Sequence, residues 1–283
     1  MIPDANELVL DASKLVTLPE IYSLINRTIE DPNCSISDIA KAISTDPSFT
    51  LRLLQIANSP LYQFSSSIES VEEAVSLIGT TQIRNLALSM SATSSFAGLQ
   101  NTLISMENFW KHSLLCAISA KHLAGEMRRC EPDTLFTAGL LHDVGELIIF
   151  NQLPELARAS LVLVMDGPEE IKINEAEKRV LGFDHAEIGH KLAEKLNLPQ
   201  VIQECIAFHH QIKKAKAYPR EVALIHIANT VAQMAELNST DPFNSSPIDP
   251  AAWEKTGLSE SLLEPTMRIA QEEISQIEQL FIH

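Results

Sequence analysis

Apolar residues recur at three- and four-residue spacing almost from end to end of this chain, and helix start and stop residues punctuate that rhythm. A strand needs alternation at a period of two, so the pattern predicts an all-α fold. The starts are explicit. Pro19 opens a helix over residues 18–30, Asp46-Pro47 opens a segment carrying Phe49, Leu53, Leu54 and Ile56, and Asp184 precedes a helix over residues 185–196. Asp accepts from free N–H groups of a first helical turn, and Pro fits where no N–H is needed. Asp31-Pro32 and Gly79, after residues 71–78, are the matching stops. The one rival for a strand is the apolar run at residues 161–165. Its neighbours at 154–158 and 168–180 are helical, so it reads as a buried helix end.

Charge narrows the function. Lys and Arg number 21 against 37 Asp and Glu, a formal charge of −16, which repels a nucleic-acid backbone or an anionic membrane on average. Direct nucleic-acid binding is not expected, and no apolar stretch approaches the length of a membrane span. The N-terminus has Asp4 and Glu7 where a signal peptide has Lys or Arg. Cys34, Cys116, Cys130 and Cys205 lie far apart among apolar neighbours, with no CxxC pair. They read as small buried side chains in a reducing compartment, which predicts a cytoplasmic protein.

The character of the chain changes at residues 94–106, where Ser94, Ser95, Gly98, Asn101 and Ser105 interrupt the helical pattern. All nine histidines follow it. The expected organisation is an N-terminal extension at 1–14, an N-terminal helical lobe at 15–100 and a C-terminal helical lobe at 101–238. A polar loop and C-terminal helix would fill 239–283, the helix from about Ser259 to Phe281.

His112, the pair His142-Asp143, His185 and the pair His209-His210 have the residue types of a divalent metal site assembled from several helices. Imidazole and carboxylate donors suit iron, manganese, nickel or zinc, and a set without thiolate leans away from a structural zinc knot. Adjacent residues diverge by about 100° on a helix, so each pair approaches one ion from different sides or bridges two. Asp143 can share its oxygens between two ions. Gly139 and Gly145 flank the pair and allow close helix packing. His122, His190 and His226 read as hydrogen-bonded core residues, Arg52 and Arg84 as helix-packing residues, Asn58, Ser59 and Pro60 as a helix end and turn. Glu169, Glu170, Glu175 and Glu177 read as a solvated acidic face.

His112, then Ala138-Gly-Leu-Leu-His-Asp-Val-Gly145, then a late position at 229 resemble the HD superfamily of metal-dependent phosphohydrolases. More narrowly, Leu18-Pro-Glu, the run from Asp46 to Ser59, Ile78-Gly79 and Ile83-Arg-Asn-Leu-Ala87 resemble the HDOD family, over about residues 15–232. The resemblance implies an N-terminal helical lobe packed on an HD-like helical bundle, in a bacterial regulatory module that binds a signalling protein partner or a nucleotide. It carries the HD ligands onto His112, His142 and Asp143. His185, His209 and His210 match the extra histidines of the related cyclic-di-GMP phosphodiesterase branch.

Three departures bear on activity. Asn229 stands where the pattern has its last Asp, and an amide oxygen is a weaker, uncharged donor. Glu146 stands where the phosphodiesterase branch has a Lys, and Asn108 replaces a Glu seen in some multi-metal members. Two functions stay open: a signalling or scaffold module with a partly degenerate metal site, or a metal-dependent phosphohydrolase acting on a nucleotide or other phosphoester, with Asp143 bridging. The oligomeric state is not legible.

Overall fold

The computed structural model describes residues 4–96, 103–166, 171–239 and 247–281. Gly98, Asn101, Pro168, Glu169, Glu170 and residues 240–246 of the expected polar loop lie outside that set. Among the described residues every regular element is a helix, with no strand. The first six helices are α1 (Ala5–Leu15), α2 (Glu20–Glu30), α3 (Ile36–Ile43), α4 (Pro47–Ala57), α5 (Val71–Ile78) and α6 (Thr80–Phe96). There follow α7 (Met106–Gly125), α8 (Pro132–Leu141), α9 (Val144–Gln152), α10 (Pro154–Asp166), α11 (Ile173–Leu181), α12 (His185–Lys195), α13 (Gln200–Phe208) and α14 (Pro219–Leu237). Two more, α15 (Pro250–Thr256) and α16 (Leu263–Phe281), close the chain. Among the described residues no single helix is long and apolar enough to cross a membrane.

The local signals act as their chemistry requires. Asp46 accepts from the Phe49 N–H with Pro47 in the first turn of α4, and Asp184 accepts from the Glu187 N–H to cap α12. Gly79 takes φ +94° and ends α5. Asn58, past the end of α4, donates to the Ile68 carbonyl and accepts from the Ile68 N–H, so it pins the following loop.

Helices α2 to α6 pack together, while α7, α8 and α14 form the centre of the second lobe. One apolar core runs through both, from Ile25, Ile39 and Leu53 to Leu114, Ile118 and Ile225. The lobes also meet along a polar seam between α6 and α8. There Asn85 donates to Thr134 Oγ1 at 2.8 Å, and Ser89 to Thr137 Oγ1 at 3.1 Å. Helix α1 lays Leu8, Val9 and Ala12 against the second lobe at α12 and α9, and α16 packs on α7 and α14 and reaches α4.

Two expectations need correction here. Residues 161–165 are helical, as the last turns of α10, but they are not a buried end: Val162 is 51% and Met165 80% exposed. Helix α10 turns Ala157 and Ser160 inward against its chain neighbours α9 and α11, which leaves these apolar side chains on the outer face. Of the cysteines, Cys116 and Cys205 are buried, whereas Cys34 and Cys130 are half-buried at helix ends.

Candidate metal centre

Glycines at two helix contacts set the geometry. A Cβ on Gly139 would lie 2.9 Å from Ala117 Cα, so α8 sits flush on α7 and brings His142 beside His112, ring centroids 5.6 Å apart. A Cβ on Gly145 would lie 1.9 Å from the His185 carbonyl oxygen, closer than any atom is tolerated. Gly189 meets Gly145 from the other side, so α9 and α12 touch backbone to backbone, and His185 reaches Asp143.

The His142-Asp143 pair occupies the break between α8 and α9. Asp143 stands at the N-cap of α9, where an Asp ordinarily accepts from the first turn, yet its side chain makes no capping bond. Its carboxylate instead faces imidazoles. His142 Nε2 lies 2.9 Å and His112 Nε2 3.7 Å from Asp143 Oδ2. On the other oxygen, His209 Nε2 lies 3.2 Å and His185 Nε2 3.4 Å from Oδ1, and His210 belongs to the same group. The pair His209-His210 is carried at the end of α13, its rings 4.0 Å apart.

What holds each ring decides which nitrogen is free. His142 Nδ1 donates to the Gly139 carbonyl at 2.8 Å and His209 Nδ1 to the Ile206 carbonyl at 2.9 Å. His185 Nδ1 donates to Glu177 at 2.6 Å, and His112 Nδ1 to Glu236 at 3.1 Å. Carbonyl and carboxylate oxygens only accept, so all four rings carry their proton on Nδ1 and, when neutral, turn the Nε2 lone pair inward. Backing of this kind, by carboxylate or carbonyl, is how metal-binding imidazoles are oriented.

The electrostatics set carboxylates against imidazoles throughout the cluster. Burial opposes ionisation of Asp143, but His142, His209 and His185 outweigh it and hold the carboxyl well below the usual range. Burial also works against charge on His112, where Glu236, Asp143 and Glu146 prevail and raise it to about 9. His185 is raised by the charge and hydrogen bond of Glu177 against the same burial, and His210 is depressed by burial and then by His209 and His185. Glu146, buried beside Asp143 and Glu177, is pushed up to about 8.

The arrangement fits a divalent cation. His142 Nε2, His209 Nε2 and Asp143 Oδ1 are buried without hydrogen-bond partners although they lie close to one another. His185 Nε2 and His210 Nε2 face each other at 2.9 Å, a contact that needs a proton or a cation between two lone pairs. Donors bound to one ion at about 2.1 Å sit about 3.0–3.4 Å apart, and the separations from Asp143 bracket that value.

Thus His112, His142, Asp143, His185, His209 and His210, the residues singled out in the sequence, are brought together around Asp143. Asn229 is buried on α14, its amide oxygen accepting from Gln233 Nε2 at 3.5 Å. Asn108 lies exposed near the start of α7. His226, read as a core residue, donates from Nδ1 to the His209 carbonyl and accepts at Nε2 from the Asp249 N–H. His122, read as a core residue, is only half-buried and pairs with Thr266 Oγ1 at 3.0 Å. Arg52 reaches Ser94 between α4 and α6.

Two carboxylates of the site escaped the sequence reading. Glu177 was placed on a solvated face, but it is 1% exposed and binds both the backbone N–H and Nδ1 of His185. The available signal was its position eight residues before His185, across the turn at Gly182. Glu236, in the last turn of α14, left no such signal, since its partner His112 lies 124 residues away.

Comparison with known proteins accords with this fold. The chain is 26% identical over 243 residues to an uncharacterised protein of Treponema pallidum (strain Nichols), covering 83% of this chain but 46% of that one. The chain therefore spans about half the length of the curated relative it matches. A crystal structure of an HDOD domain protein of unknown function from Geobacter sulfurreducens matches with a TM-score of 0.75 and 26% identity, over 98% of both chains. A protein from Shewanella amazonensis, provisionally named a phosphohydrolase, shares the fold at a TM-score of 0.75 and 22% identity over 97% of both chains. The sequence pattern of the HDOD domain matches residues 15–212, and with that span covered this chain belongs to the HDOD domain family.

Proposed function

We propose that this chain is a regulatory module for signal transduction that binds a partner protein or nucleotide, whose N-terminal lobe offers the surface for a partner and whose second lobe carries a divalent-metal centre. The ligands would be His112, His142, Asp143, His185, His209 and His210. The observation that carries this reading is the inward convergence of four Nε2 atoms on one carboxylate, with every Nδ1 already bound elsewhere. A divalent ion so held supplies Lewis acidity toward phosphate oxygens. The chain's own groups set the limits of that chemistry. Glu177 and Glu236 orient His185 and His112. Glu146, pushed up to about 8 by burial and Asp143, supplies no positive charge where a cation would hold a phosphate, and Asn229 adds no negative charge for a metal. Both weigh toward regulation and against turnover.

The competing reading, a metal-dependent phosphohydrolase, has one specific support: the two oxygens of Asp143 serve different imidazole groups, as a carboxylate between two ions would. Elemental analysis of purified protein, with a screen of phosphomonoesters and phosphodiesters in manganese, nickel or ferrous iron, separates the two. Retained metal without turnover is the expected result. Turnover that disappears in Asp143→Ala would overturn the regulatory reading.

A further inference from the structure

Helix α10 turns an apolar stripe toward solvent. Val162, Val164 and Met165 are all exposed, Met165 the most at 80%. The other large exposed apolar side chains, Leu10, Ile36, Leu51, Leu77 and Leu237, come one to a helix, as scattered surface residues do. Because Ala157 and Ser160 turn inward, the outer face is centred on Val162 and carries Arg158, Ala159, Met165 and Asp166, all exposed. These positions lie three and four residues to either side of Val162, within about 60° of it around the helix. Among the described residues no carboxylate pairs with Arg158 and no cation with Asp166. Asp166 also stands at the C-terminal end of α10, where the helix dipole favours a cation, and the last turn holds none.

The stripe is complementary to itself. When two copies of a helix pack antiparallel about a two-fold axis at Val162, a residue before Val162 stands level with the one equally far after it in the second copy. Arg158 then stands level with Asp166 of the second copy, and Asp166 with its Arg158. The small Ala159 stands level with Met165 and leaves it room, while the two Val162 side chains meet at the axis. We infer that the outer face of α10 is a self-association surface, through which two copies of this chain pair antiparallel. Each Arg158 supplies the cation that the C-terminal end of the opposite helix lacks, and the exposed apolar side chains leave water together. Thirteen residues make α10 about 20 Å long, so one helix pair buries less than the roughly 800 Å² per partner of a stable complex. The formal charge of −16 on each chain opposes pairing as well. Association is therefore weak and concentration-dependent, with a midpoint above about 10 µM.

The test is sedimentation velocity of the full chain from about 5 to 500 µM, in about 0.15 M salt to screen the net repulsion. The mean mass is expected to rise with concentration from 31.3 kDa toward twice that value. Val162→Glu sets two carboxylates against each other at the axis and lowers the association constant at least about tenfold. Leu51→Glu, equally exposed but on α4, leaves it unchanged. Arg158→Asp or Asp166→Arg alone places like charges level with each other and weakens association about fivefold or more. The double exchange restores it to near the original value, which happens only when the two positions face each other across copies. Every substituted position is exposed, and far-UV circular dichroism checks that each variant is folded. A mean mass of one chain at every concentration would overturn the inference. So would association that Val162→Glu leaves intact, or a double exchange that restores nothing.

Discussion

Asp46 and Asp143 occupy the same local position, the residue before a helix, in the two lobes. Asp46 caps α4 by accepting from the Phe49 N–H, whereas Asp143 leaves α9 uncapped and turns to the histidines. The difference extends to their surroundings. In the first, polar side chains complete the backbone around them: Ser35 and Asp38 form a capping box at α3, and Asn58 satisfies both polar groups of Ile68. In the second, buried imidazole and carboxylate atoms remain without hydrogen-bond partners at the meeting of α8, α12 and α13. A buried polar atom left unmatched costs roughly 1–3 kcal/mol, so such a cluster persists where something other than folding favours it. Around Asp46 the polar groups are taken up by folding, while around Asp143 they are directed toward a ligand.

The sharpest way to break this contrast is at Gly145. Alanine there meets the His185 carbonyl, a rigid backbone group, and we expect a loss of about 3 kcal/mol in denaturant unfolding, together with loss of metal retention. Gly125→Ala, with nothing within 4 Å of its new Cβ, should change stability by less than about 1 kcal/mol. Equal behaviour of the two variants would remove the α9–α12 contact as the organiser of the site.

A paired exchange comes next in size. Leu53→Ala, in the fully buried core of the first lobe, should cost about 2–4 kcal/mol and leave bound metal per folded chain unchanged. His209→Ala should do the reverse, losing metal while lowering the stability of metal-stripped protein by less than Leu53→Ala does. Calorimetric melts beside elemental analysis would check both, and metal lost in Leu53→Ala while the fold persists would join the two lobes in one function.

The smallest effect is a pH dependence. Burial alone would raise Asp184, but Lys178 and the Glu187 N–H hold it below the usual carboxylate value. Its folded-state pKa is therefore depressed, so its contribution is complete above the unfolded value of 3.8 and is lost as pH falls below it. Asp184→Asn keeps a capping side chain and removes the charge, and should cost roughly 1 kcal/mol near neutral pH. Stability curves of the two proteins should converge below about pH 4. A constant gap at every pH would assign the loss to packing.

Much of the architecture was legible because its signals are local. A helix start at Asp46-Pro47 or an end at Gly79 depends on groups within four residues, and the repeated apolar spacing needs only a neighbouring surface to cover it. The exposed end of α10 was misread for the same reason: periodicity identifies a helix, but whether Val162 and Met165 find a partner is settled by other helices. The metal-type residues were legible as a set through their chemistry, and Asn229 as a place where charge is missing.

By itself, then, the sequence determined an all-helical chain with a histidine-rich second half and the residue types of a divalent-cation site, since helix capping, hydrophobic periodicity and donor chemistry are properties of single residues and short spacings. Only the tertiary structure decided that Glu177 and Glu236 stand behind His185 and His112, that Gly145 and Gly189 let two backbones touch, and that the oxygens of Asp143 face unequal groups. Those facts depend on helices distant in sequence meeting within hydrogen-bond range, where a shift of one ångström makes or removes the contact.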